Sequence, residues 1–493
     1  MEVSRGHSNG CVDHEGPNRK IMFDTRSLDI MTVQKLLTEW IRDQCGKGGQ
    51  NPSKLSEVYQ VIAAAKENQP AYTSLLKQIL HEPNLYEAWE QVRRNHGAPG
   101  IDKITIGEFA KDLQKHIEHI IVSVGNGTYE PSPVRRKDIK KPNDGYRMLG
   151  IPTIRDRLLA QAIQQVLTPI FDPTFSESNF GFRPGMSAQN AVEHAKAIIS
   201  EGHTWVVDID ISKFFDRVNH DILMYLLSRR IEDKMLLKLI RKFLNAGIMD
   251  NGVTTRQTEG VPQGSPLSPI LANILLDVLD KELEQRGHRF ARYADDCNIY
   301  VKSERAAKRV MISIRRFIED KLKLKLNVEK SAVDRPWKRK FLGFSFIGGL
   351  KTKPRIRIAK KSIKKFKDRI RQITKRNRGV SLKQVVNELN LYLRGWLGYF
   401  GLMETPSVLM ELDGWIRRKL RCYIFKQWKT SKKRCKELRK LGAEEPWSAA
   451  YSGKGLWRLS LTEQTHTALN CAYFNELGLF SLYQQWQGYV KFS

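Results

Sequence analysis

Apolar residues recur along this chain in two rhythms, one near every third or fourth position and one at alternate positions, and the switches between them predict the order of elements. A helical stretch (Val33, Leu36, Leu37, Trp40, Ile41) lies in an otherwise polar, weakly patterned start. Helical periodicity runs from Leu55 to about Leu113, interrupted at His96–Asp102, where Gly and Pro predict a turn. Short extended runs follow. Asn143-Asp144-Gly145 sits between two of them and reads as the loop of a β-hairpin. Residues 154–200 are helical again, broken by SNFGFRPGMS at 178–187. Trp205–Phe215 is a β-branched run entering a turn, residues 218–245 are helical, and another helix runs from about Gly264 to Leu283. Residues 289–302 read strand, polar turn, strand, and LKLNVEKSAV leading into RKFLGFSFIGG adds two more short strands. Past about 355 the pattern is almost wholly helical, with breaks near Gly379, Gly442 and Ser452–Gly455. There is no internal repeat. The fold class predicted is α+β, a small antiparallel sheet in the middle followed by an all-helical C-terminal part.

Charge changes this picture more than composition does. Among 493 residues, 83 Lys and Arg face 53 Asp and Glu, a net of +30, and residues 331–440 alone carry +25 of it. In SIKKFKDRIRQI and LDGWIRRKLRCYIFKQW the basic residues alternate with apolar and aromatic ones, which predicts a folded basic helical face over a disordered tail. Such a face suits phosphate backbones through counterion release. With 41% hydrophobic residues the chain is not intrinsically disordered. No apolar run is long enough to span a membrane, and the first residues lack the apolar core of a secretory leader, so the expected partners include no membrane and the expected location is cytoplasmic. Six scattered cysteines without C-x-x-C spacing read as ordinary thiols in a reducing compartment.

Two groups of acids lie in apolar, strand-like sequence, where charge is costly unless paired or bound to metal. One is Asp208-Ile209-Asp210 with Asp216, and the other is Asp295-Asp296 at the tip of the predicted hairpin. In a strand of period two, Asp208 and Asp210 share a face. Converging carboxylates bind hard divalent cations, Mg²⁺ above all, and two such ions could activate a hydroxyl and stabilise a leaving pyrophosphate. The alternative is that these residues are caps and turn formers.

Tyr293-Ala294-Asp295-Asp296 resembles the YxDD signature of reverse transcriptases, and Asp210-Ile-Ser-Lys-Phe-Phe-Asp216 resembles the motif that supplies their other catalytic aspartate. Around them GAPGID (97–102), KKPNDGYRMLGIPTIRDR (140–157), SNFGFRPGMSAQNAV (178–192), GVPQGSPLSPILANI (260–274), LNVEKS (326–331) and FLGFSF (341–346) resemble, in order, the blocks of group II intron-encoded reverse transcriptases. The resemblance covers about residues 85–350. It implies a right-hand polymerase fold and an RNA-directed DNA polymerase. Asp210, Asp295 and Asp296 become the catalytic, metal-binding triad for two Mg²⁺ ions, with Mn²⁺ as a possible substitute. Asp208 and Asp216 are assigned to local structure. The resemblance further implies that Lys141 and Arg147 contact the incoming dNTP, that Phe214 excludes a ribose 2′-hydroxyl, that Gln263 and Gly264 lie under the nascent base pair, and that Lys330 protonates the departing pyrophosphate or contacts phosphate.

Leu389–Phe400 taken alone is a buried helix, and it also resembles the LxGWxxYF block of the maturase region, domain X, of the same family. Trp415–Leu420 and Lys426–Lys440 set Arg and Lys beside aromatics, suited to structured RNA. The expected division is an N-terminal extension (1–54), fingers and palm (55–350), a basic thumb and maturase domain (351–440), and the close of that domain or a short DNA-binding tail (441–493). Expected partners are structured intron RNA, an RNA template with DNA primer, target DNA and dNTPs. No paired Cys and His cluster predicts an HNH endonuclease, and nothing in the sequence sets an oligomeric state. Rival functions are a splicing-only maturase, whose carboxylates would be lost, and a domesticated reverse transcriptase in defence or repair.

Overall fold

The computed structural model describes residues 74–140, 146–250, 253–255, 257–348, 352–451 and 455–491. The stretch at 33–41, the loop residues Asn143, Asp144 and Gly145, and the cysteines Cys11 and Cys45 therefore lie outside the described residues. From Ala71 onward the chain is one compact unit.

Helices α1 (Leu75–Ile79), α2 (Glu82–Arg94), α3 (Ile106–Lys111) and α4 (Leu113–Gly125) come first. The Thr105 hydroxyl and the Glu108 carboxylate form a reciprocal capping box that starts α3. The predicted hairpin follows as β1 (Val134–Lys140) and β2 (Tyr146–Ile151), antiparallel with Arg135 opposite Ile151 and Lys140 opposite Tyr146. Helix α5 (Ile154–Phe171) is buried on nearly every side, as a helix rich in apolar residues all round must be. GAPGID packs against its start. Arg157 bonds the Ala98 carbonyl, Arg135 donates to the Pro99 carbonyl at 2.7 Å, and a Cβ on Gly100 would lie 2.6 Å from Thr153 Cα.

After α6 (Ala188–Ser200) comes β3 (Trp205–Asp210), then α7 (His220–Ser228) and α8 (Lys234–Asn245). The single helical stretch expected at 218–245 is thus two helices. Asp233 breaks it by capping α8, its Oδ1 accepting from Leu236 N at 3.0 Å while Oδ2 accepts from Leu76 N at 2.8 Å. Two short strands unseen in the sequence pattern, β4 (Ile248–Asp250) and β5 (Val253–Thr255), extend the hairpin sheet in the order β2-β1-β4-β5, with β4 parallel to β1.

The central sheet is antiparallel throughout, in the order β6-β7-β3-β8. It is built from β3, the hairpin β6 (Arg289–Tyr293) and β7 (Asp296–Val301), and β8 (Ala332–Asp334). Helices α9 (Ser268–Gln285) and α10 (Glu304–Lys321) cover one face. Alternation divides the strands between two apolar cores: Val207, Ile209, Cys297 and Ile299 pack with α9 and α10, whereas Val206, Ala291 and Tyr300 face the other way.

That second face is covered by the C-terminal part. Strand β9 (Phe344–Ile347) pairs with β10 (Arg355–Ile358), followed by α11 (Lys360–Ile373), α12 (Leu382–Phe400) and α13 (Ser407–Gln427). The helical reading past 355 missed β10, whose Arg-Ile-Arg-Ile alternation is a two-residue rhythm too short to stand out. Then come α14 (Ser431–Lys440), α15 (Trp447–Ala450), α16 (Leu456–Leu459), α17 (Glu463–Ala468), α18 (Cys471–Glu476) and α19 (Leu482–Lys491). Leu389, Leu393 and Trp396 share one core with Val206, Tyr300, Leu469 and Leu482. Residues 441–491 are therefore built into the helical layer. Asp413 fixes their end by accepting from Ser481 Oγ, Leu482 N and Tyr483 N. No helix among the described residues is long and apolar enough to cross a membrane, and the described cysteines Cys297, Cys422, Cys435 and Cys471 are free.

Candidate active site and nucleic-acid interface

The register of the central sheet brings the two acidic groups together. Asp210 lies opposite Asp296 and Asp208 opposite Asn298, so period two sets Asp208, Asp210 and Asp296 on the same face as Val206 and Tyr300. The turn between β6 and β7 is only Ala294 and Asp295, and Ala294 adopts the left-handed region at φ +56°. LNVEKS locks the end of β3 beside them. Asn327 N donates to the Asp210 carbonyl at 2.8 Å, and Asp210 N donates to Ser331 Oγ at 3.1 Å.

Three cations stand beside the carboxylates. Lys330 Nζ lies 3.4 Å from Asp210 Oδ1. Arg339 donates to Asp208 Oδ2 through Nε at 2.9 Å and Nη2 at 2.6 Å, and Nη2 also donates to the Lys330 carbonyl at 2.7 Å. Burial pushes Asp208 above the usual carboxylate range, against the pull of Arg339 and Lys340. Asp296 is pushed up to about 7 by burial and then by the charge of Asp208, with Lys340 opposing and Asp295 and Asp210 adding. The sequence reading missed Arg339 and Lys340; the signal was KRK at 338–340, directly before FLGFSF.

The donor set fits a divalent cation of the Mg²⁺ kind. Burial first, and then the charges of Asp208, Asp295 and Asp210, make an ionised Asp296 costly, and a bound cation would offset that cost. Among the described residues no three His, Cys, Asp or Glu side chains stand close enough to cage a metal by themselves. Mg²⁺ does not need such a cage, since it is commonly held by one or two carboxylates with substrate phosphates and water.

The other expected site residues are distributed as follows. Lys141 lies outside the described residues, and Arg147 sits on β2 opposite Ile139. Gln263 and Gly264 join the central region to the hairpin: Gly150 N donates to the Gln263 carbonyl at 2.9 Å, and Gly264, at φ +128°, has no room for a Cβ, which would fall 2.5 Å from the Gly150 carbonyl oxygen. The need for glycine there is thus explained by backbone packing. Phe214 lies four residues after Asp210. Its ring is 2% exposed and belongs to the apolar core, whereas the neighbouring Phe215 is only partly buried. Both lie in the turn Phe214–Asp216 that follows β3, and their rings meet edge to face with centroids 5.1 Å apart.

A second surface lies on the C-terminal helices. Lys367, Arg371 and Lys419 stand 5.8, 5.6 and 5.4 Å from the Trp415 ring, and Arg418 stands 3.6 Å from that of Trp457. Between α14 and α15 an open groove of about 460 Å³ is lined by Lys432, Lys436, Arg439, Lys440, Trp447 and Tyr451. The Trp447 and Tyr451 rings lie tilted at 36° with centroids 4.8 Å apart and remain 54% and 44% exposed.

Residues 139–346 match the family described as reverse transcriptase (RNA-dependent DNA polymerase), and residues 363–442 match the group II intron, maturase-specific domain. Protein YkfC of Escherichia coli (strain K12) is 31% identical over 321 residues, 57% of this chain and 84% of that protein. The chain belongs to the group II intron reverse transcriptase/maturase family. Another relative, the group II intron-encoded protein LtrA of Lactococcus lactis subsp. cremoris, is 38% identical over 224 residues, and the match spans 37% of LtrA. Among solved structures, a chain of a partial Cas6-RT-Cas1–Cas2 complex is 27% identical, with 50% of this chain and 43% of that chain covered and a TM-score of 0.33. The reverse transcriptase part holds the paired aspartates, and the maturase part carries α11, α12, α13 and the basic face of α14.

Proposed function

We propose that this reverse transcriptase/maturase extends a DNA primer on an RNA template and holds group II intron RNA on its C-terminal helices, with the central sheet as palm, the β1–β2 hairpin and preceding helices as fingers, and α11–α13 as thumb. The observation that carries the reading is the register of Asp210 opposite Asp296, beside the Ala294–Asp295 turn, on a sheet face shared with the maturase helices.

Asp210, Asp295 and Asp296 would hold the divalent ions. Bound there, such ions activate the primer 3′-hydroxyl and stabilise the leaving pyrophosphate oxygen. The remaining work falls to protein groups. Lys330, beside Asp210, delivers a proton or positive charge to the leaving phosphate. Phe214, four residues after Asp210, would exclude a ribose 2′-hydroxyl, with Phe215 packed on the same core. Lys141 and Arg147, on either side of Asn143–Gly145 in sequence, would supply cationic donors to the triphosphate. Asp208, held by Arg339, orders the strand and the Lys330 loop and is not a metal ligand. The groove at Trp447 and the cations round Trp415 give an RNA ligand phosphate contacts and stacking surfaces together.

Primer extension on an RNA template with Mg²⁺, run beside binding and splicing of a cognate group II intron RNA, tests both halves. Asp295→Ala is expected to abolish extension and leave RNA binding and splicing intact. Robust extension by the variant would remove the metal assignment, and loss of splicing with it would remove the separation of the two activities.

A further inference from the structure

The turn that carries Asp295 is held from beneath by a buried ionic network. Arg292 and Asp280 are both fully buried, and the guanidinium grips the carboxylate through Nε to Oδ1 at 2.7 Å and through Nη2 to Oδ2. The third arm, Nη1, donates to the Ala294 carbonyl at 3.0 Å and to Asn273 Oδ1 at 3.1 Å. Asn273 Nδ2 donates in turn to the Gly181 carbonyl at 2.7 Å. Gly181 presses on the same turn, since a Cβ there would lie 2.1 Å from Ala294 N. The backbone of Arg292 bonds this segment on both sides, donating to the Ser178 carbonyl at 2.8 Å and accepting from Phe180 N at 2.9 Å.

Arg292 lies opposite Cys297 in the ladder, on the α9 face of the sheet, whereas Asp296 lies on the other face. Its side chain therefore works through the Ala294 carbonyl and not on substrate. A fully buried Arg–Asp pair is a weak source of stability, because desolvation offsets much of the attraction. A bidentate fork does fix direction, and here two arms are fixed on α9 so that the third points at one peptide. That peptide follows a residue in the left-handed region, a conformation costly for alanine unless its surroundings impose it.

We infer that Arg292, Asp280 and Asn273 are positioning residues, a buried clamp that holds the Ala294–Asp295 peptide so that Asp295 and Asp296 are presented to the nucleotide site in one geometry. The inference rests on the polymerase reading above. It predicts that the clamp can be separated from folding, since replacing a buried ion pair by apolar groups of similar size is often neutral for stability.

The test is the double variant Arg292→Met, Asp280→Leu in the full chain. Melting temperature and RNA binding are expected to stay near those of wild type. The extension rate at saturating substrate should fall 100-fold or more with little change in KM for primer–template. Hydrogen exchange of the turn amides 294–296, read in metal-free protein, should quicken tenfold or more. Should the double variant fail to fold, Arg292→Lys gives the same readouts; its ammonium keeps the charge but lacks the fork, and a tenfold or greater fall in rate with faster turn exchange is expected. A folded variant of either kind that extends primers at the wild-type rate, or whose turn amides stay as protected as in wild type, overturns the inference. If wild type itself fails to extend, the polymerase reading has failed; if wild type and variant extend alike, only the clamp has.

Discussion

Lys330 Nζ stands 3.4 Å from Asp210 Oδ1 at the open end of the central sheet, with 64% of the lysine side chain exposed. A pair this exposed contributes less than about 1 kcal/mol to stability, so its placement is better explained by chemistry on the nucleotide. Lys330→Ala should lower the extension rate about 100-fold, in the range of a lost general acid, and leave the melting temperature almost unchanged. Rapid-quench kinetics with a labelled primer separate this from weaker dNTP binding, which would raise KM instead.

The two adjacent phenylalanines should behave in opposite ways. Phe214→Ala empties a core position and should cost about 3–5 kcal/mol in urea unfolding. Phe214→Val, which keeps part of the core side chain, should raise ribonucleotide incorporation relative to deoxyribonucleotide, and Phe215→Val should not. If Phe215→Val relaxes sugar selection and Phe214→Val does not, the assignment of Phe214 is wrong.

Asp277 on α9 is pushed up to about 6, first by burial, with Lys281 opposing and Asp280 adding, and its Oδ1 has no hydrogen-bond partner. A carboxyl with a higher pKa in the folded than in the unfolded chain binds its proton more tightly when folded, so stability falls as pH rises from about 4 to about 6. Asp277→Asn should therefore gain stability over wild type at pH 7.5, by up to about 3 kcal/mol, and lose the advantage below about pH 4. Melting temperatures across that range check the sign.

The groove between α14 and α15 should read unpaired RNA. Trp447→Ala with Tyr451→Ala is expected to weaken binding to an RNA with a single-stranded loop about tenfold, at the low end of the value of a stacked base, and to leave a fully paired duplex of equal length bound as before. Lys432→Ala and Lys436→Ala should weaken both RNAs and flatten the salt dependence of binding. Fluorescence anisotropy at several salt concentrations distinguishes the two effects.

What could be read from the sequence was whatever local rhythm decides. The hairpin around Ala294–Asp295, the sharing of one face by Asp208 and Asp210, and the helix at Leu382–Phe400 all follow from periods of two or 3.6 residues. Three-residue β4 and β5, and four-residue β10, are too short to impose a rhythm. Arg292 and Asp280, twelve residues apart on a strand and a helix, look like ordinary surface charges in sequence; only packing of α9 beneath the sheet makes them a buried pair. The core joining Val206 and Tyr300 to Leu393 and Leu482 is likewise made by long-range apolar contact.

The most direct test of the central claim is single-turnover extension of a DNA primer on an RNA template with Mg²⁺, comparing wild type with Asp210→Ala protein of matched melting temperature and RNA affinity. The metal assignment of Asp210 predicts a loss of about 1,000-fold or more, as expected when electrostatic stabilisation at a phosphoryl-transfer centre is removed. Extension by Asp210→Ala within tenfold of wild type would contradict it.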